Sequence, residues 1–279
     1  MSPRSEAAPP RGSEQPGAPP LRLYLSDPGR AAIEFGLLLG ALPFSRALPT
    51  GDGHPVLVLP GLMAADDSTW PLRRILRRLG YRVHGWRLGR NLGPTDVAIN
   101  GMRDRLDDLH TRYDAAITVI GWSLGGIYAR ALARNFPLAV RGVITLGSPF
   151  RLSHDSQSRA SGVFNHYTHL HTHRSATPLE LERNPLPVPA TSIYSRYDGI
   201  VAWQACLDVP SARAENIAVL GSHFGYGHNP AVIVVVADRL AQPLGRWEPF
   251  QPPRALRRLF PRPDAPDAPL DSTAVAARL

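Results

Sequence analysis

The sequence predicts an α/β domain: a mainly parallel sheet covered by helices on both faces. Three observations carry that expectation. From Gly51 onward, short apolar runs alternate with stretches of helical spacing. The runs are nearly continuous in Val, Ile and Leu, as strands buried on both faces require. At 279 residues, with 43% hydrophobic and 19% charged residues, the chain can bury one sizeable core.

The elements follow in order. Val56-Leu57-Val58-Leu59, bounded by Pro55 and Pro60-Gly61, reads as the first strand. Thr69 to Leu79 carries Leu72, Ile75, Leu76 and Leu79 on one helical face and stops at Gly80. Tyr81 to Trp86 reads as a strand and Thr95 to Arg112 as a helix. Ala116 to Ile120 is a buried strand, Leu124 to Asn135 a helix, and Gly142 to Leu146 a strand. Residues 151–189 break the rhythm. Thr191 to Tyr194 and Asn216 to Leu220 resume it. The β-branched run around Ile233 reads as a helix, because Asn229-Pro230 is a good start and Pro243 a good stop.

The expected organisation is a Pro-rich tail over 1–20, a helical segment over 21–50, a domain over 51–242 with an insert at about 151–189, and a Pro/Arg-rich tail over 243–279. Within the second segment a helix is expected to begin after Ser26-Asp27-Pro28. Its apolar stretch, Ala31 to Phe44, contains Glu34 and is too short to span a bilayer. It is expected to pack on the domain, with a membrane surface as the alternative.

The formal net charge is +8, and every basic residue is Arg. The clusters Arg73, Arg74, Arg77, Arg78 and Arg254, Arg257, Arg258 read as solvated faces, with anionic lipid as a further partner. No nucleic-acid module accompanies the charge. Cys206 is the one cysteine, so no internal disulfide forms. No secretory signal is evident at the start. The expected location is cytoplasmic, with peripheral membrane association as a further outcome.

The chemistry begins at Gly121-Trp122-Ser123-Leu124-Gly125, a G-x-S-x-G pattern placed just after a strand and opening a helix. So sharp a turn projects the Ser123 hydroxyl above the sheet at the positive end of the helix, and side chains at Gly121 and Gly125 would collide there. Gly126 lets the helix approach a neighbouring chain. A serine hydroxyl needs a base to become a nucleophile, and the base needs a carboxylate to orient it. Asp198, just past an apolar segment and before Gly199-Ile200-Val201, is preferred over Asp155 in the insert, Asp208 as a surface residue, and Glu215 at a strand start. His223, after Gly221-Ser222, is preferred over His228 in Gly227-His228-Asn229-Pro230. The backbone N–H groups of Leu62, after Pro60-Gly61, and of Leu124 are the expected oxyanion donors.

Together with Leu146-Gly147-Ser148-Pro149, these motifs resemble the lipase and esterase branch of the α/β-hydrolase superfamily over roughly Gly51 to Ala241. The resemblance implies hydrolysis of a carboxylic ester with an apolar acyl group, through an acyl-serine and without metal or organic cofactor. Many relatives carry His-Gly where this chain has Pro60-Gly61. The insert at 151–189 falls where such enzymes carry a lid. Its Phe164, Tyr167 and Leu170 are candidates to line an acyl pocket. Its His166, His169, His171 and His173 lack a nearby acidic or thiol partner and read as solvated loop histidines rather than metal ligands. An acyltransferase using the same three residues, or a non-catalytic protein on this fold, remain the alternatives.

Overall fold

A computed structural model describes residues 17–152, 157–172, 185–262 and 264. Six strands form one parallel sheet: β1 (Pro55–Leu59), β2 (Arg82–Gly85), β3 (Ile117–Trp122), β4 (Val140–Leu146), β5 (Ala190–Tyr194) and β6 (Ala214–Ala218). Their order is β2-β1-β3-β4-β5-β6, parallel throughout. The helices are α1 (Leu21–Ala41), α2 (Trp70–Arg78), α3 (Asp96–Tyr113), α4 (Leu124–Asn135), α5 (Ser161–His166) and α6 (Pro230–Leu240). The expected elements are present, displaced at their ends by a few residues.

The period-2 geometry of strands divides the core in two. Val56, Val58, Ile120, Ile144, Leu146, Ile193 and Ile217 face one side with α2, α6 and Leu38 of α1. Leu57, Leu59, Val119 and Val143 face the other, against α3 and α4. Each fully buried aliphatic side chain in these layers contributes about 1.5–3 kcal/mol. Because all strands run the same way, their C-terminal ends share one edge. Ser123, Asp198 and His223 all leave the sheet at that edge, after β3, β5 and β6.

Three sequence expectations are corrected. First, α1 begins at Leu21 rather than after Ser26-Asp27-Pro28, with Pro28 inside it. Pro28 is the eighth residue of α1, beyond the first turn, so the helix gives up one i→i−4 hydrogen bond there. Asp27 is therefore not a cap; it is fully buried, on one stripe with Ala31, Glu34 and Leu38. Second, the chain after Pro243 is not a loose tail as far as it is described. Phe250 and Phe260 are buried in the core and pack edge to face at 5.1 Å. The Phe250 N–H donates to Glu215 at 2.8 Å. Third, Asp208 is not a surface residue. It is buried, paired with Arg130 at 2.5 Å, and the Arg130 guanidinium lies 3.9 Å from the Phe150 ring centre.

Candidate active site

The turn from β3 into α4 has the shape the G-x-S-x-G pattern demands. Ser123 has φ +53° and ψ −122°, a conformation that costs a non-glycine residue about 1–3 kcal/mol and persists only where the surroundings enforce it. The glycines make it feasible. A methyl group on Gly121 would sit 2.2 Å from the Gly125 carbonyl oxygen, and one on Gly125 would sit 2.4 Å from the Leu59 carbonyl oxygen. Both obstacles are backbone. Gly125→Ala is therefore expected to lower the melting temperature by about 2–12 degrees, the shift that an overpacking cost of about 1–3 kcal/mol gives at about 2–4 degrees per kcal/mol in a domain of this size, or to leave no soluble protein. A thermal melt of the purified variant checks this. At Gly126 a methyl group would meet Ser148 Oγ at 2.0 Å, so the neighbouring chain foreseen there is the Gly147-Ser148-Pro149 turn.

Ser123 is partly exposed at the end of the sheet. Gly61 lies directly against it, where an added methyl group would stand 3.2 Å from Ser123 Cβ. Leu62 follows in the same turn, and Leu124 is the first residue of α4. The opening N–H groups of a helix have no intrahelical acceptor and carry the positive end of its dipole.

Asp198 and His223 come together. His223 Nδ1 lies 2.7 Å from Asp198 Oδ2, with both side chains buried. The other carboxylate oxygen, Oδ1, accepts the N–H groups of Ile200 and Val201, each at 2.8 Å, which fixes its orientation. Ser195 Oγ donates to the Gly221 carbonyl at 2.7 Å and accepts from Gly221 and Tyr197, tying the turn after β5 to the turn after β6. Trp122 contributes too. Its indole N–H donates to the His223 carbonyl at 3.1 Å, linking the serine turn to the histidine turn. Burial pulls the His223 pKa down, but the negative charges of Asp198 and Asp27 and the hydrogen bond to Asp198 outweigh it, so His223 stands above the usual histidine value.

The rival residues are elsewhere. His228 Nε2 lies 2.9 Å from the Ala31 carbonyl of α1, and its ring meets Phe35 edge on. It faces α1 rather than solvent. Glu215 is on β6, paired with Arg239 at 2.7 Å. Asp155 lies outside the described residues. Three contributors were not foreseen: Asp27 and Glu34 of α1, which bond to the histidine turn, and Trp122.

The described parts of the insert are anchored at both ends. Arg159 N–H donates to Ile200 at 2.8 Å and Ala202 N–H to Gln157 at 2.9 Å, next to the Asp198 turn. At the other end Thr172 N–H donates to Pro94 at 3.0 Å, and His171 Nε2 lies 3.0 Å from the Leu92 carbonyl. Phe164 packs against the core beside α3 and α4, whereas Leu170 is exposed. His169 Nδ1 lies 3.1 Å from the His166 carbonyl, and His173 lies outside the described residues. Among the described residues no three His, Cys, Asp or Glu side chains are grouped as metal ligands would be.

The parallel sheet, the strained serine turn and the loops at one sheet edge define an α/β-hydrolase fold, and the comparisons agree. With Aspergillus fumigatus lipase B the TM-score is 0.54 at 15% identity, over 68% of this chain and 52% of that one. With a Bacillus licheniformis lipase it is 0.51 at 14% identity, over 69% and 94%. With a structure from the metagenome-derived lipolytic enzymes LipS and LipT it is 0.50 at 18%, over 69% and 93%. In sequence, a stretch of 98 residues is 32% identical to the pimeloyl-[acyl-carrier protein] methyl ester esterase of Shewanella woodyi. That stretch is 35% of this chain and 37% of the relative. The chain thus spans about half of the first structure and little more than a third of the curated relative. No family model matches.

Proposed function

We propose that this protein hydrolyses carboxylic esters through an acyl-serine intermediate, with Ser123 as nucleophile, His223 as general base and Asp198 orienting it. The observation that carries the reading is the buried 2.7 Å contact between His223 Nδ1 and Asp198, on the same sheet edge as a serine held at φ +53°. With Nδ1–H donated to the carboxylate, Nε2 keeps the lone pair that a base needs. His223 takes the Ser123 proton as Oγ attacks the ester carbonyl. The Leu62 and Leu124 N–H groups receive the charge that develops on the carbonyl oxygen. His223 then protonates the departing alkoxide, and water, deprotonated by the same imidazole, releases the acid and restores Ser123. The esterase relative acts, by its name, on a methyl ester, which supports ester chemistry without defining the acyl group here. Turnover of a p-nitrophenyl ester series by the purified chain tests the reading. The expected result is measurable hydrolysis with a clear optimum in acyl length; a chain inert to the whole series contradicts it.

In the same reading the described part of the insert, residues 157–172, roofs the site, because it is anchored to the loop that follows β5 at one end and to the loop that follows β2 at the other. The outward face of α1 meets an anionic lipid surface. Between Arg30 and Arg46 the sole charged residue is Glu34, and it points inward. Leu25, Ile33, Leu37 and Phe44 are each at least 60% exposed, and the exposed Arg22 and Arg46 flank them. Among the described residues no helix is long and apolar enough to cross a membrane. An exposed apolar face flanked by cationic side chains favours an interfacial position. The chain is expected to co-sediment with phosphatidylglycerol-containing vesicles and less with pure phosphatidylcholine. The Ile33→Asp/Leu37→Asp double variant should lose that binding; equal pelleting of the double variant excludes this face.

A further inference from the structure

Asp27 is a carboxylate buried in the middle of a helix, with no exposed surface. Desolvating such a group is costly, and a side chain that served packing alone would be apolar. Its partners are specific. Oδ2 accepts the N–H groups of Gly199 at 3.0 Å and His223 at 2.9 Å, and Oδ1 accepts that of Phe224 at 2.9 Å. Arg30 adds an ion pair at 3.1 Å and also donates to the Tyr197 carbonyl at 2.7 Å. One carboxylate, 196 residues before His223 in the sequence, therefore joins the turn that follows Asp198 to the turn that carries His223. Two turns further along the same stripe, Glu34 accepts the Ser222 N–H at 2.8 Å and the Asn229 side-chain amide at 3.0 Å. The residues on either side of His223 and its own N–H are thus all held by α1.

We propose that α1 is a positioning element of the active site, with Asp27 and Glu34 fixing the backbone of the His223 turn so that the imidazole stays between Asp198 and Ser123. The proposal rests on the Ser123–His223–Asp198 reading and extends it to a segment outside the α/β core. The two carboxylates act through His223 and touch no substrate. A carboxylate suits the task because both of its oxygens accept. An amide at position 27 would turn an NH₂ group toward an N–H donor whichever way it lay. Asp27 also adds negative charge near the imidazole. The other groups facing His223 are Asp198, the Trp122 indole and the rings of Phe224 and Tyr226. Burial pushes the Tyr226 phenol, and the Cys206 thiol beyond Asp198, well up, so neither ionises across the working range.

The test uses the full chain and its Asp27→Asn, Glu34→Gln and His223→Ala variants, with active sites counted from end-point fluorophosphonate labelling. Per labelled site, Asp27→Asn is expected to lower kcat about 10–100-fold while KM stays within about twofold, the pattern of lost transition-state alignment rather than lost binding. Removing the negative charge should also move the acid limb of kcat/KM to lower pH, because Asp27 is one of the charges that raise the His223 pKa. Glu34→Gln should show a smaller loss, about 3–10-fold, with the same split. If Asp27→Asn does not fold, Glu34→Gln carries the test, and a wild-type kcat there overturns the proposal. Folded Asp27→Asn with wild-type kcat and acid limb, whatever its melting temperature, makes Asp27 a structural carboxylate and overturns it while a dead His223→Ala leaves the base assignment intact. An active His223→Ala variant overturns both.

Discussion

Ser123→Ala is expected to reduce ester turnover by about 10³-fold or more while leaving the fold intact. The serine contributes one oxygen to the chemistry and little to the core, since it is partly exposed. Its φ of +53° is a strained state that alanine shares, so stability should change little in either direction. What disappears is the covalent step. The N–H groups at Leu62 and Leu124 would still bind a developing oxyanion, so a small residual rate over water is expected. Circular dichroism and a thermal melt of the variant, beside its kcat, separate loss of chemistry from loss of structure. Full activity in a folded Ser123→Ala variant excludes the mechanism.

The second large effect separates two histidines five residues apart. His223→Ala should abolish turnover, and His228→Ala should retain most of it. His223 is buried against Asp198 at 2.7 Å, while His228 reaches the Ala31 carbonyl and the Phe35 ring. Losing His228 loosens one contact to α1, so a modest drop in kcat and melting temperature is expected, not inactivity. Only a neutral imidazole accepts the serine proton. Because the His223 pKa is raised, kcat/KM should fall on an acid limb lying above the ordinary histidine value of about 6.5. That limb should persist in His228→Ala. A dead His228 variant beside an active His223 variant would move the base to the later position.

Local features of the site were legible in the sequence, and long-range ones were not. The serine turn is specified by five consecutive residues whose glycines have no alternative, and α4 runs from Leu124 to Asn135 as expected. Asp198 and His223 could be selected because each follows a recognisable apolar strand by a short link. Asp27 was misread because Ser-Asp-Pro is also a helix-start pattern, and nothing nearby reveals that its partners lie near residues 199 and 223. The signal was present in the spacing: Asp27, Ala31, Glu34 and Leu38 form one helical stripe, which an amphipathic reading would have turned inward. Asp208 was misjudged for a similar reason, since its partner Arg130 is 78 residues away. Pro and Arg dominate the composition after residue 243 and concealed Phe250 and Phe260, whose aromatic rings supply enough buried surface to hold that segment on the core.

In the proposed mechanism Ser123 becomes covalently acylated with His223 as its base. Reaction of the intact chain with a fluorophosphonate, followed by peptide mass spectrometry, tests it most directly. The expected product is a single phosphonyl adduct on the peptide containing Gly121-Trp122-Ser123-Leu124-Gly125, formed rapidly in the wild type, absent in Ser123→Ala and severely slowed in His223→Ala. An adduct on another residue, or no adduct from a folded and soluble chain, would contradict it.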